Sequence, residues 1–149
     1  MLLKTHLSIT LFFVLLLFPI VEHEIVFVVV AILATYLPDV DSRYSTLGRK
    51  RINRVLQFFT KHRGIIHSFT FLIGCTFLLV LFFPIISLGF FLGYGLHLLA
   101  DSFTRDGIRP FYPLKKGIRG SLRTGGSIEI GVLIGFLIAD VLLIFGFIF

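Results

Sequence analysis

The sequence lacks most of what a soluble globular domain needs. It contains one cysteine, Cys75, so no disulfide can form within the chain. Apolar and polar residues do not alternate as they would in half-buried strands. With 56% hydrophobic residues and a mean hydropathy of +1.00, the chain is too apolar for a water-soluble protein of 149 residues. Because only helices and closed barrels satisfy the backbone in lipid, these absences leave membrane-spanning helices as the predicted fold.

We predict an all-α, polytopic membrane bundle of about five transmembrane helices that forms a single domain over residues 1–149. The apolar segments that predict these helices span approximately residues 7–21, 25–37, 65–83, 85–100 and 128–149. The first segment follows Lys4 as in a signal peptide, but it lacks a small-x-small cleavage site and should remain as a helix. Gly89-x-x-x-Gly93 and Gly131-x-x-x-Gly135 predict close packing of helix backbones.

The basic residues indicate the orientation of the predicted bundle. With five crossings, the N-terminus and two long loops, about 39–64 and 101–127, share one side, and all 14 lysines and arginines fall there. By the positive-inside rule this side is cytoplasmic and the C-terminus lies outside the inner membrane of the cell. The net charge of +6 follows from this topology. Basic loops of membrane proteins usually face anionic lipid, so a nucleic-acid partner is not expected.

Imidazole and carboxylate side chains collect at the cytoplasmic ends of the predicted helices. They are His6, Asp39, Asp41, His62, His67, His97, Asp101 and Glu129. His97 and Asp101 are four residues apart, on one helical face, where they could share a metal. Asp39 and Asp41 follow Pro38 in a turn or extended segment, from which both could reach one metal or bridge two. The alternatives are an ordinary polar pair, an acidic turn after proline and interfacial histidines.

Imidazole and carboxylate ligands without thiolates suit zinc, with manganese and iron as alternatives. We predict two or more divalent ions, held by His6, Asp39, Asp41, His62, His67, His97 and Asp101. Two metals about 3.5–4 Å apart can stabilise the attacking and leaving oxygens of phosphoester hydrolysis and activate water. Arg63 and Glu129 are the predicted catalytic residues. The Arg63 guanidinium could clamp a phosphate, with a solvated surface side chain as the alternative.

In these residues the sequence resembles the YdjM-like family, described as LexA-binding, inner membrane-associated, metal-dependent hydrolases. The matching elements are His6, the Leu-Pro-Asp-Val-Asp stretch at 37–41, the His-Arg-Gly-Ile-Ile-His-Ser stretch at 62–68, the His-Leu-Leu-Ala-Asp-Ser-Phe-Thr stretch at 97–104, Gly107 with Pro110, and Glu129 after Gly125 and Gly126. A weaker similarity, to zinc-dependent phospholipase C and related nucleases, rests on the His-x-x-x-Asp spacing. The His-Glu-x-x-His motif of membrane metalloproteases and the Pro-Ser-Gly-His element of lipid phosphate phosphatases are absent.

The predicted function is hydrolysis of a phosphoester through a water molecule that the metal activates at the cytoplasmic face. The segment at 25–37 spans about 20 Å as a helix, less than the bilayer core of about 30 Å. The site should therefore lie near headgroup depth, where a lipid or another membrane-associated substrate can reach it. The alternative is a non-enzymatic metal-binding scaffold or a transporter. Asp140 is the only ionisable residue of the apolar segments away from their ends, and this favours a closed site over a conduit.

Overall fold

The computed structural model of the chain describes residues 1–41 and 64–148. It contains five α-helices: α1 Leu3–Leu17, α2 Glu24–Tyr36, α3 Phe69–Phe82, α4 Pro84–Ser102 and α5 Ser127–Ile148. Two 3₁₀ turns, Phe18–Ile20 and Leu37–Asp41, follow α1 and α2. Within the described ranges there is no strand, only two isolated β-bridges. The predicted all-helical fold is confirmed, and each predicted apolar segment corresponds to one helix.

Helix length divides the bundle into long and short members. By length and composition, three spans could cross a membrane: Leu3–Ile20, Pro84–Ser102 and Ser127–Phe147. Helix α2 has 13 residues and α3 has 14. Helix α3 extends for only about 21 Å, against a bilayer core of about 30 Å. Helix α2 continues directly into the 3₁₀ turn Leu37–Asp41, as α1 does into Phe18–Ile20. Among the described residues, α3 is therefore the short apolar helix.

Helix α4 lies at the centre, packed against α1, α2 and α3, while α5 packs chiefly on α1. Glycines allow α4 to approach α2 closely: a Cβ on Gly93 would lie 2.0 Å from the Ala31 carbonyl oxygen, and one on Gly89 would also meet the α2 backbone. The predicted packing role of this glycine pair is confirmed. The same prediction for Gly131 and Gly135 is wrong, because a Cβ at either position would meet nothing within 4 Å in the described part of the chain.

The helices alternate in direction, so α1, α3 and α5 begin at the end of the bundle where α2 and α4 finish. We call this end, around Leu3, Tyr36, Phe69, Ser102 and Ser127, the polar end. Turns at the opposite end are short, and Phe83 alone separates α3 from α4, as the Phe-Pro sequence predicts. Every helix thus has one terminus at the polar end, where the histidines and carboxylates lie.

The segment between α4 and α5 also folds at the polar end. Ile108 and Ile118 exchange two backbone hydrogen bonds of 3.0 and 2.9 Å. Gly107 permits the turn because it adopts a φ of +64°, in the left-handed region. The Pro110 carbonyl accepts a hydrogen bond of 2.8 Å from the N–H of Phe69, the first residue of α3. This contact satisfies a free N–H of α3 and ties the start of that helix to the loop.

Candidate metal centre

Five of the predicted ligands come together at the polar end. The side chains of His6, His67, His97 and Asp101 are buried, and that of Asp39 is 21% exposed. They arise from α1, from the residues before α3, from α4 and from the 3₁₀ turn after α2. Buried imidazoles and carboxylates need partners that compensate their lost hydration.

The ligand atoms form two triads that share one residue. The first triad is His6, His97 and Asp101, and the second is Asp39, His67 and His97; within each, the ligand atoms lie within 4.8 Å of one another. His6 Nε2 is 3.3 Å from Asp101 Oδ1, and His97 Nε2 is 3.8 Å from Asp101 Oδ2 and 3.9 Å from Asp39 Oδ1. Two ligands of a tetrahedral zinc lie about 3.4 Å apart. These separations therefore suit shared ions, and they exceed the usual hydrogen-bond range.

The His97 ring is held in the form that binds metals. Its Nδ1 lies 2.9 Å from the carbonyl oxygen of Thr35. A carbonyl only accepts, so Nδ1 carries the proton and Nε2 presents its lone pair. Pro38, three residues after Thr35, has no N–H to compete for that carbonyl in the 3₁₀ turn. Within residues 1–41 and 64–148, Nε2 is buried and has no hydrogen-bond partner.

A pair of threonines holds the carbonyl that orients His97. The Thr35 hydroxyl donates a hydrogen bond of 2.8 Å to the Ala31 carbonyl oxygen. Because its hydrogen is used there, its oxygen accepts the hydrogen bond of 2.9 Å from the Thr10 hydroxyl. This contact joins α1 to α2 one turn below the site. The sequence analysis missed both residues. The available signal was two hydroxyl side chains inside apolar segments, one of them close to a proline.

His6 has the fewest partners of the buried ligands. Its ring stacks on that of His97 with a centroid distance of 4.0 Å and an interplanar angle of 8°. Neither ring nitrogen of His6 has a hydrogen-bond partner among the residues that the structure describes. Asp101, beside it, also accepts a contact of 2.5 Å from the Met1 amino nitrogen. A buried imidazole without a hydrogen bond is costly, and metal ligation would compensate for it.

Asp39 is the accessible member of the centre. Burial raises the pKa of its carboxyl above the ordinary value, because partial loss of hydration disfavours the charged form, while the nearby His6 ring acts in the opposite direction. A divalent cation at the second triad would favour the charged form of Asp39. Of the five side chains, that of Asp39 is the most exposed.

Comparison with known proteins identifies the family of the chain. Residues 1–147 match the model of the YdjM inner membrane protein family. The chain belongs to this family. It is also similar to YvsG, an uncharacterized protein of Bacillus subtilis (strain 168), with 31% identity over 110 residues that cover 70% of this chain and 69% of that protein. No solved structure gives a reliable match. The YdjM assignment and the apolar helices together place the protein in a membrane.

Three predicted site residues of this YdjM-family chain cannot be placed in the centre. His62 and Arg63 lie outside the described residues. The backbone of Asp41 ends the 3₁₀ turn, and its side chain is also outside the described part. Of the predicted acidic pair, the structure therefore brings Asp39 alone to the ligands. Ser68 caps α3, as predicted for it, by accepting a hydrogen bond of 3.2 Å from the Phe71 N–H.

Glu129, predicted to be catalytic, lies next to the centre but in neither triad. Its buried carboxylate accepts hydrogen bonds from the Leu2 N–H at 2.5 Å, the Thr5 hydroxyl at 3.0 Å and the Gly125 N–H at 2.6 Å. These bonds attach the start of α5 to the first turn of α1, which carries His6. The geometry gives Glu129 the place of a positioning residue.

Glu129→Gln should lower the metal content of the first triad, whereas Asp140→Asn should leave it unchanged. Glutamine would turn one acceptor oxygen into a donor that faces an N–H or hydroxyl donor, a mismatch that costs about 1–3 kcal/mol. Asp140 is buried in α5, three turns farther along, and its oxygens accept no hydrogen bond from the described residues. Metal content and thermal unfolding in detergent measure both effects. Loss of metal in Asp140→Asn but not in Glu129→Gln would contradict the positioning role of Glu129.

Proposed function

We propose that this protein is a membrane-bound, metal-dependent hydrolase that cleaves a phosphoester of a lipid or a membrane-associated substrate. The observation that carries the proposal is the buried His97 ring, whose Nδ1 donates to the Thr35 carbonyl and whose Nε2 has no hydrogen-bond partner among the described residues. This Nε2 faces oxygens of Asp39 and Asp101 at 3.9 and 3.8 Å. The Thr35 carbonyl fixes this tautomer without any help from the carboxylates. Such a backbone contact to the second nitrogen of a histidine is typical of metal ligands.

The donor set fits two divalent ions, zinc before manganese or iron, since it offers imidazole and carboxylate and no thiolate. His97 has a single lone pair, on Nε2, and would hold one ion together with Asp39 and His67, while His6 would hold the other. The Asp101 carboxylate would contribute to both, because one oxygen faces His6 and the other faces His67 and His97. When bound, such ions lower the pKa of water and stabilise charge on phosphoryl oxygens. The buried ligands exclude bulk water from one side of the centre. Asp39 leaves the opposite side open to the phosphate, and Arg63 remains the proposed phosphate clamp.

The polar end is proposed to face the cytoplasm. In the sequence, Lys4 lies in the first turn of α1 and all other lysines and arginines fall between α2 and α3 or between α4 and α5, and this asymmetry supports the orientation through the positive-inside rule. In this orientation Asp39, which follows α2, would lie near the depth of lipid headgroups. A membrane phospholipid could then present its phosphate without leaving the bilayer.

In a Cys75→Ser background, Lys116→Cys should resist an impermeant thiol reagent in intact cells, and Glu22→Cys should react with it. Both positions are exposed, and they lie at opposite ends of the bundle. Permeabilised cells provide the control, because both cysteines should then react. The opposite labelling pattern in intact cells would reverse the proposed orientation.

The function is tested on purified protein in detergent, stripped with a chelator and reloaded with zinc, manganese or iron. The expected result is metal-dependent hydrolysis of bis(p-nitrophenyl) phosphate or of phospholipids, detected by mass spectrometry of the products. Asp140→Asn is the control that should keep activity, and His97→Ala should lose it. A well-folded, metal-loaded protein that hydrolyses none of these compounds would refute the hydrolase.

A metal-binding scaffold or transporter is the second candidate. The observation that favours it is the buried Asp140 carboxylate in the middle of α5, since ionisable residues at such depth often mark transport paths. Metal uptake by proteoliposomes separates the two candidates. Uptake that Asp140→Asn abolishes, without hydrolysis in the same preparation, would establish the transporter.

A further inference from the structure

An apolar groove runs from the metal centre into the membrane region of the bundle. Its volume is about 440 Å³, and it lies along α3 and α4. The mouth is formed by Leu37 and Ile66, and the α3 wall by Phe71, Cys75 and Leu79. From Phe71 to Leu79 the groove follows α3 for about 12 Å. The wall on the side of α4 is formed by Phe90 and Tyr94.

The mouth of the groove adjoins the accessible side of the centre. Leu37 is two residues before Asp39, and Ile66 directly precedes His67. The hydroxyl of Tyr94 donates a hydrogen bond of 2.6 Å to the Ile66 carbonyl, which fixes this rim against α4. A molecule lying in the groove would therefore place one end at Asp39 and the other in the bilayer core.

We propose that the groove binds an acyl chain of an anionic membrane phospholipid whose phosphate lies at Asp39. This inference rests on the proposed function and specifies its substrate class. The apolar walls match a hydrocarbon chain, and the site end of the groove matches a phosphate. Lys4, Arg105 and Arg109 are exposed at the polar end and make it complementary to anionic lipid. A phospholipid has both parts in this order.

Occupancy is tested independently of hydrolysis by photocapture. Phosphatidylglycerol with a diazirine in one acyl chain is irradiated with the full-length protein in nanodiscs, and the captured peptides are mapped by mass spectrometry. The wild type should be labelled on α3 around Cys75. Cys75→Phe, which fills the groove, should reduce this labelling by about tenfold. Gly74→Phe is the matched control, because a Cβ at Gly74 meets nothing within 4 Å in the described chain, and it should label as the wild type does.

A second substitution and a second lipid complete the test. If Cys75→Phe does not fold, Leu79→Trp fills the groove one turn farther along and should have the same effect. Phosphatidylcholine with the same chain should be captured less than phosphatidylglycerol. Equal capture of the two lipids would overturn the anionic preference. Labelling that neither groove-filling variant reduces would overturn the groove itself.

Hydrolysis separates failure of this inference from failure of the proposed function. Cys75→Phe should slow cleavage of phosphatidylglycerol by about tenfold or more while bis(p-nitrophenyl) phosphate is cleaved as by the wild type. Equal loss on both compounds would overturn the groove and leave the hydrolase intact. Groove-dependent photocapture without any hydrolysis would support the lipid site and refute the hydrolase.

Discussion

Asp101→Ala should remove both metal ions from the purified protein, whereas His6→Ala and His97→Ala should each remove one. The difference follows from the number of donor atoms, because Asp101 faces His6 with Oδ1 and His67 and His97 with Oδ2, whereas each imidazole has one lone pair to offer. The loss in affinity should exceed the 10- to 100-fold effect of changing a residue that only contacts a ligand. Activity should fall with the metal.

Elemental analysis of protein purified in detergent gives the number of ions per chain. Asp140→Asn is the matched control, since it removes the charge of a buried carboxylate far from the triads. Thr35→Val provides a second comparison, because the orienting group of Thr35 is its backbone carbonyl and should survive the change. Wild-type protein that is folded and free of metal after exposure to zinc would refute the proposed metal centre.

Gly93→Leu should destabilise the bundle by about 3 kcal/mol or more, through overpacking of the α2–α4 contact. A Cβ at this position would lie 2.0 Å from the Ala31 carbonyl oxygen and 2.8 Å from its carbon. These are backbone atoms, so no side-chain rotation relieves the clash and the two helices must separate. Separation would also move Thr35 away from His97, and metal binding should weaken together with stability.

Gly131→Leu is the control for this prediction. It sits in the same small-x-x-x-small pattern, yet a Cβ there meets nothing within 4 Å in the described residues. Its midpoint of thermal unfolding in detergent should stay close to that of the wild type. A large loss of stability in Gly131→Leu would mean that another surface packs against α5.

The lengths of the apolar segments and the polar residues between them predicted the helices well. Lipid leaves the backbone no alternative to the helix, so hydropathy alone locates the elements. The convergence of His6, Asp39, His67, His97 and Asp101 was also predictable, because alternating helices bring one terminus of each to the same end. The family resemblance read from those same residues is confirmed by the match over residues 1–147.

Contacts between helices were not predictable, because they depend on how each helix is rotated about its axis. Gly89-x-x-x-Gly93 and Gly131-x-x-x-Gly135 have the same spacing, yet only the first faces a neighbouring helix among the described elements. Glu129 was predicted to be catalytic from its place at a helix start, but its carboxylate accepts hydrogen bonds from three donors in the first residues of the chain and the loop before α5. The role of the Thr35 carbonyl in orienting His97 was not predictable either, because a backbone oxygen is present at every residue.

The short helix α3 has a consequence for the surrounding bilayer. It is about 10 Å shorter than an average hydrocarbon core. Lipids accommodate such a deficit by thinning locally, at an elastic cost of a fraction of a kcal/mol per Å. One flank of the protein should therefore draw the two leaflets together, and this deformation should favour thin regions of membrane. Thinning beside α3 would bring lipid headgroups closer to the start of that helix, which His67 precedes.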